Sequence, residues 1–182
     1  MNDDLMLRLA RIRIVAMDVD GTFTDGTLYY DASGNVMKGF FTGDGLGMEL
    51  LRRAGIIRGF ITGRVDVAAE ARARYLMADF LLTGIGDKAE ALRSLSSDYG
   101  IPLSDILFIG DDLNDYTGFE AAGVSVAVGN AAMEVKMIAD YVTRALGGRG
   151  AVREVVNLLL RAKGIDPVAL WKTDKDTPMG QR

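Results

Sequence analysis

Apolar residues in this chain come in short runs, and most runs end on glycine, aspartate or threonine. Ile12-Arg13-Ile14-Val15-Ala16-Met17, Ile56 to Ile61, Phe80-Leu81-Leu82, Ile106-Leu107-Phe108-Ile109, Val124 to Val128 and Tyr141-Val142 predict core strands. Between them lie segments of helical period. Met1 to Arg11 predicts a short helix or lead-in with a Leu5, Leu9, Ile12 stripe. Asp44 to Gly55 predicts a helix capped by Asp44 and stopped by Gly55. Val65 to Tyr75 follows, then Lys88 to Tyr99, stopped by Gly100 with Pro102 close behind. A helix through Glu120 and Ala121, one near Met133 to Ile138 and a last one over Ala151 to Lys163 complete the set. Strands alternating with helices imply βαβ units, hence a doubly wound α/β fold with a mainly parallel sheet. No repeat is visible.

One excursion breaks the alternation. Thr27 to Tyr30 and Val36 to Phe41 are rich in strand formers and flank the turn cluster Asp31-Ala32-Ser33-Gly34-Asn35, which predicts a projecting hairpin. Its Tyr29, Tyr30, Phe40 and Phe41 make it unusually aromatic, the composition of a partner surface; packing on its own domain is the alternative. Asp166 to Arg182 reads as a polar tail with the only tryptophan, Trp171, disordered toward its end; residues 1–165 make one domain.

Composition then narrows the chemistry. The 182 residues are 49% hydrophobic and 25% charged with a net charge of −4, which disfavours nucleic acid or an anionic membrane as the main partner. Cysteine and histidine are both absent, which removes disulfides, thiolate and imidazole metal sites, Cys nucleophiles and Ser-His-Asp catalysis. Chemistry must run on carboxylates, lysine, hydroxyls and backbone amides, with or without a hard metal. No apolar run approaches the roughly 20 residues of a membrane span. Acids lead the N-terminus in place of a signal-peptide layout, so a cytoplasmic protein is expected.

The candidate chemistry sits at strand ends, where a doubly wound sheet binds ligands. Asp18 and Asp20 follow the first strand, Thr62-Gly63-Arg64 the second, and Gly110-Asp111-Asp112-Leu113-Asn114-Asp115 the fourth. Two close carboxylates repel unless a cation or hydrogen bonds compensate. A divalent ion with oxygen ligands, Mg²⁺, is one resolution; an ordinary Asp-Gly turn is the other. Lys88, read alone, is a solvated helix-start lysine, and Thr62 a turn residue.

Asp18-Val-Asp-Gly-Thr22, Ile61-Thr-Gly-Arg64, Lys88 and Gly110-Asp-Asp-Leu-Asn-Asp115 match, in order, the four motifs of the haloacid dehalogenase superfamily of phosphotransferases. The resemblance spans nearly the whole domain. It implies a phosphomonoesterase in which Asp18 attacks phosphorus to give an aspartyl-phosphate, and Asp20 protonates the leaving alcohol and later takes a proton from water. It further implies a Mg²⁺ site of Asp18, Asp111 and the Asp20 carbonyl, supported by Asp112 and Asp115. Thr62, the Gly63 amide and Lys88 would hold the phosphoryl oxygens. Asn114, Arg64 and Arg149 would meet phosphate or substrate.

Many members carry a cap domain over the site, but neither interval between these motifs has room for one. The chain resembles a capless, tetrameric subgroup of sugar-acid phosphatases, in which a neighbouring subunit closes the site. The ending Ala139-Asp-Tyr-Val-Thr-Arg-Ala-Leu-Gly-Gly-Arg-Gly150 fits that subgroup, and the resemblance implies that Arg149 meets a sugar-acid carboxylate or closes a neighbouring site. Arg64 and Arg149 favour 3-deoxy-octulosonate 8-phosphate, an eight-carbon substrate, since enzymes of the nine-carbon analogue tend to carry Glu at both places. Gly43, where the eight-carbon enzymes commonly have Arg, points the other way. A phospho-receiver module would place its acceptor Asp on a middle strand. A non-catalytic accessory domain would lose motif residues, and none is lost here.

Overall fold

The computed structural model describes residues 3–173. β1 (Ile14–Met17) is buried along its whole length, and the sheet is built outward from it. β4 (Ile57–Ile61) and β6 (Ile106–Gly110) flank it, with Met17 paired to both Phe60 and Ile109. β5 (Phe80–Leu82) extends the sheet beyond β4, and β7 (Val124–Ala127) and β8 (Tyr141–Val142) extend it beyond β6. Every neighbouring pair in this order, β5-β4-β1-β6-β7-β8, is parallel. Strands covered on both faces need no polar alternation, and this is why β1, β6 and β7 read as unbroken apolar runs.

The order of the helices follows from the crossovers. α2 (Thr42–Arg53) and α3 (Val67–Tyr75) carry the chain from β1 out to β5, and α4 (Lys88–Tyr99) brings it back to β6. α5 (Tyr116–Ala121) and α6 (Met133–Ile138) continue toward β8. Right-handed connections put α2 and α3 on one face and, after the reversal, α4 and α5 on the other. α1 (Asp3–Arg11) and α2 both pack against α7 (Ala151–Ala162). The reversal falls beside β1, so the loops after β1 and β6 face one crevice at the carboxyl ends of the strands.

Local capping explains most helix starts. Asp66 Oδ1 accepts from Ala69 N at 2.8 Å and Asp87 Oδ1 from Ala89 N at 2.9 Å; Gly100 ends α4 in the left-handed conformation. Asp44 departs from expectation. α2 begins at Thr42, two residues earlier, and its N-cap is Phe41, which makes no side-chain cap bond. Asp44 is fully buried and caps a different helix: its Oδ2 accepts from Gly150 N at 3.1 Å and its Oδ1 from Arg153 N at 2.8 Å. The residue before α7 is a left-handed glycine with no side chain to cap it, so a carboxylate from α2 takes the orphan amides.

The hairpin forms as a separate antiparallel pair, β2 (Tyr29–Tyr30) and β3 (Val36–Met37), with Tyr29 opposite Met37. Asp31 Oδ1 closes its tip by accepting from Ser33 N and Asn35 N at 2.8 and 2.9 Å. Tyr29, Tyr30 and Met37 are exposed. Between Thr62 and Lys88 there is only α3 and β5, so no cap domain covers the site.

The expected polar tail starts differently. α8 (Pro167–Thr173) packs on α2, with the Arg53 guanidinium 4.0 Å from the Trp171 ring centroid and Arg53 Nη1 donating to the Trp171 carbonyl at 2.8 Å. Polar composition hid this helix, because a single aromatic and one cation–π partner supply contacts that periodicity does not register. The rest of that tail, residues 174–182, lies outside the described residues.

Candidate active site

The loop after β1 turns back on itself at once. Phe23 N and Thr24 N both donate to the Val19 carbonyl, at 3.0 and 2.9 Å, and Thr24 Oγ1 accepts from Gly21 N and Gly26 N. Gly21 has φ +95°, and a Cβ there would lie 2.1 Å from Asp111 Oδ2. Only glycine lets the two strand-end loops approach this closely. Phe23 turns inward against Phe60 at 4.9 Å between centroids, which nails the loop to the core.

Asp18, Asp111 and Asp115 meet in the space so made. One oxygen from each lies within 4.8 Å of the others. Lys88, from the first turn of α4, is fully buried and reaches into the group. Its Nζ donates to Asp18 Oδ1 at 2.6 Å and to the Ile61 carbonyl, and lies 3.3 Å from Asp115 Oδ1. Asp115 Oδ2 accepts from Asp111 N at 2.9 Å and Asp112 N at 3.4 Å, so it also braces the loop after β6. Thr22 Oγ1 donates to Asp111 Oδ1 at 3.0 Å.

One ammonium faces three carboxylates, and the imbalance shows in their acidities. Burial, then the Asp115 charge, holds Asp18 well above the usual carboxylate range, with Lys88 opposing. Burial and Asp115 push Asp111 up to about 7, with Thr22 opposing. Burial also raises Asp115. A buried group of hard oxygen donors carrying excess negative charge is what a divalent cation such as Mg²⁺ fits.

Asp20 points into a different set. Lys38 Nζ lies 2.7 Å from its Oδ1 and 2.9 Å from its Oδ2, and Arg64 Nε lies 3.5 Å from Oδ2. Thr62, at the end of β4, is buried; its amide donates to the Leu82 carbonyl at 2.9 Å and its Oγ1 accepts from Arg64 N at 3.2 Å. Gly63 and Arg64 are exposed beside it.

The other sequence candidates sit farther out. Asp112 caps the short turn Leu113–Asp115, its Oδ1 accepting from Leu113 N at 2.7 Å, and Asn114 is exposed on that turn. Asp115, expected behind the metal ligands, braces the loop amides with one oxygen and brings the other within 4.8 Å of oxygens of Asp18 and Asp111. Arg149 is exposed and pairs with Asp25 of its own chain at 3.1 Å. The glycines before it fit against the loop after β1: a Cβ on Gly147 would lie 1.7 Å from the Gly21 carbonyl, and Gly148 N donates to the Thr22 carbonyl at 3.0 Å. Arg149, Asp25, Tyr29, Phe40 and Phe41 thereby line a cavity of about 240 Å³ at the base of the hairpin. A larger cleft of about 680 Å³, between α1 and β8, holds none of the strand-end groups. At Gly43 a Cβ would lie 2.5 Å from the Phe41 ring, so this glycine goes with the aromatic at 41.

Lys38 and its second partner, Asp66, are residues near the site that the sequence did not single out. Lys38 lies 18 positions from Asp20, just after the second hairpin strand, where a lysine is ordinarily solvated, and no spacing rule links the two.

Residues 79–152 match the model of the haloacid dehalogenase-like hydrolases. The chain is 39% identical over 161 residues to 3-deoxy-D-manno-octulosonate 8-phosphate phosphatase of Escherichia coli, covering 88% of this chain and 86% of that one. The enzyme of that name from Haemophilus influenzae is 37% identical, with 86% and 87% covered. Among solved structures, that of the 3-deoxy-D-manno-octulosonate 8-phosphate phosphatase of Moraxella catarrhalis, in complex with magnesium, phosphate and the sugar acid KDO, superposes with a TM-score of 0.91 at 37% identity. It covers 95% of this chain and 99% of its own. A cobalt-bound form from Haemophilus influenzae gives 0.84 at 37% identity, with 86% and 92% covered.

Proposed function

The chain belongs to the 3-deoxy-D-manno-octulosonate 8-phosphate phosphatases of the haloacid dehalogenase-like hydrolases, and we propose that it hydrolyses that phosphomonoester to the free sugar acid and phosphate. The observation that carries this reading is the meeting of Asp18, Asp111 and Lys88 at three strand and helix ends, on a chain aligned with those enzymes over most of its length.

Asp18 is the nucleophile. Its carboxylate attacks phosphorus in line with the leaving oxygen and becomes an aspartyl-phosphate. Lys88 holds Asp18 in place and faces the equatorial oxygens as their charge develops. The Thr62 hydroxyl accepts from the Arg64 amide, which leaves its own proton to donate to a phosphoryl oxygen, beside the Gly63 amide. Asp20 protonates the leaving alcohol and then takes a proton from the attacking water. The carboxylates of Asp18 and Asp111 and the Asp20 carbonyl would hold Mg²⁺, with Asp112 and Asp115 bracing them. Bound there, the ion neutralises the carboxylates and draws charge off the transferring phosphoryl group.

The reading includes a homotetramer in the cytoplasm in which a neighbouring subunit covers the site and Arg149 approaches a sugar-acid carboxylate. The exposed Tyr29, Tyr30 and Met37 support an interface on the hairpin. Sedimentation at four times the 19.6 kDa chain mass would agree; a monomer at working concentration would remove it.

Phosphate release from 3-deoxy-D-manno-octulosonate 8-phosphate, with Mg²⁺ and then with EDTA, tests the activity. Turnover that EDTA abolishes is expected, and no release in Mg²⁺ would overturn the substrate.

A further inference from the structure

Lys38 follows β3, and its side chain is completely buried. Besides both oxygens of Asp20 it meets Asp66 Oδ2 at 2.5 Å. The other oxygen of Asp66 caps α3 through Ala69 N. A single ammonium thus ties together the hairpin, the loop after β1 and the start of α3. Lysine normally carries its charge to water on a flexible stem, and burying it is costly unless it is paired. Here two carboxylates surround it, and Phe40, two residues on, leans against Phe23 at 6.1 Å between centroids.

We propose that Lys38 is a positioning residue that fixes the Asp20 carboxyl for proton transfer to the leaving group, and that Asp66 in turn fixes Lys38. The proposal rests on the reading of Asp20 as the acid and base of phosphomonoester hydrolysis. In the first half, the bond from Asp18 oxygen to phosphorus forms as the ester oxygen departs, and the Asp20 proton passes to that oxygen. In the second, Asp20 takes a proton from water as the water oxygen bonds phosphorus and the bond to Asp18 breaks, releasing phosphate. Lys38 neither gives nor takes a proton. Without it, Asp20 and Asp66 face each other as like charges and Asp20 swings toward water.

A leaving-group comparison tests this. A primary alkoxide needs the proton and 4-nitrophenolate leaves without it, so only the former depends on where Asp20 points. In the first turnover, Lys38→Met should slow cleavage of the sugar phosphate by about 10²-fold and release of 4-nitrophenolate from 4-nitrophenyl phosphate by less than about threefold. Lys38→Arg should restore part of the sugar-phosphate rate, and Asp66→Asn should lower it by a smaller factor while KM stays near wild type. Equal losses on both esters, or no loss on either, would overturn the proposal. If Lys38→Met does not fold, Asp66→Asn carries the same comparison with the same overturning results. Any primary-alcohol phosphate that the wild type hydrolyses serves as the first arm, so a wrong sugar leaves the test of Lys38 standing. A wild type inactive on every ester would overturn the reading and Lys38's role with it.

Discussion

Two buried lysines, Lys88 and Lys38, hold the two acidic groups of this site, and they do so from opposite kinds of structure. Lys88 rises from the first turn of a twelve-residue helix, and Gly118 of α5 fits so closely that an added Cβ would come within 2.9 Å of the Lys88 Cβ. Lys38 comes from a hairpin of two-residue strands, an element with little stability of its own. Lys88 contacts Asp18 and Asp115, with Asp111 in the same group, and Lys38 contacts Asp20 and Asp66. Asp18, the proposed nucleophile, is therefore fixed by the core of the fold, whereas Asp20, the proposed acid and base, is held by the part of the chain that also presents an exposed aromatic surface. Coupling Asp20 to the hairpin makes proton transfer depend on where the hairpin sits.

The strongest test of this contrast is Asp18→Asn. Removing the proposed nucleophile should cut turnover by at least about 10³-fold while the fold survives. The metal-free protein should also melt higher at pH 8, because one of three mutually repelling carboxylates is gone. Retained turnover would transfer the nucleophile elsewhere, and a lower melting temperature would contradict the repulsion.

Lys88→Met comes next. It strands the buried Asp18 and Asp115 and the half-buried Asp111 without their cation and should cost about 3–5 kcal/mol of stability without metal, in chemical denaturation. Lys38→Met leaves Arg64 near Asp20 and should cost less. Equal destabilisation would erase the distinction between a core-held and a hairpin-held lysine.

The pH dependence is smaller and its sign is fixed. Asp18 and Asp111 have folded-state values above the unfolded carboxylate range, with Asp111 at about 7. Between roughly pH 4 and 7 the native state then binds more protons than the unfolded one, so stability falls as pH rises. In EDTA the melting temperature should drop from pH 5 to pH 8, and Mg²⁺ should raise it more at pH 8 than at pH 5. A flat EDTA profile would show that the three carboxylates are already neutralised within the chain.

The mildest change is Asp44→Ala, which should cost about 1–2 kcal/mol by uncapping α7. Turnover should fall only insofar as the segment Gly147–Gly150, seated on the loop after β1, loosens with it. A variant as stable as wild type would show that water caps α7 equally well.

Much of this was legible along the chain. The β5, α4, α6 and β8 boundaries follow from apolar runs, from Asp87 and Gly100 at the ends of α4, and from the turn residues between elements. Asp18, Thr62 and Asp111 were visible because a polar residue directly after a core strand has to face the crevice. Lys38, Asp44 and Trp171 were misread or unmarked, and each for one reason. Their partners lie 18, 106 and 118 positions away, beyond the reach of any periodicity.

The order of elements, the parallel α/β class and the strand-end position of the chemistry were determined by sequence alone, since local hydrophobic period and turn residues act within one or two turns of chain. The pairing of charges was decided only in three dimensions. Which carboxylate a lysine neutralises, and which helix an aspartate caps, depends on the distance and burial that packing of remote elements creates. A buried charge takes the partner that packing brings within reach.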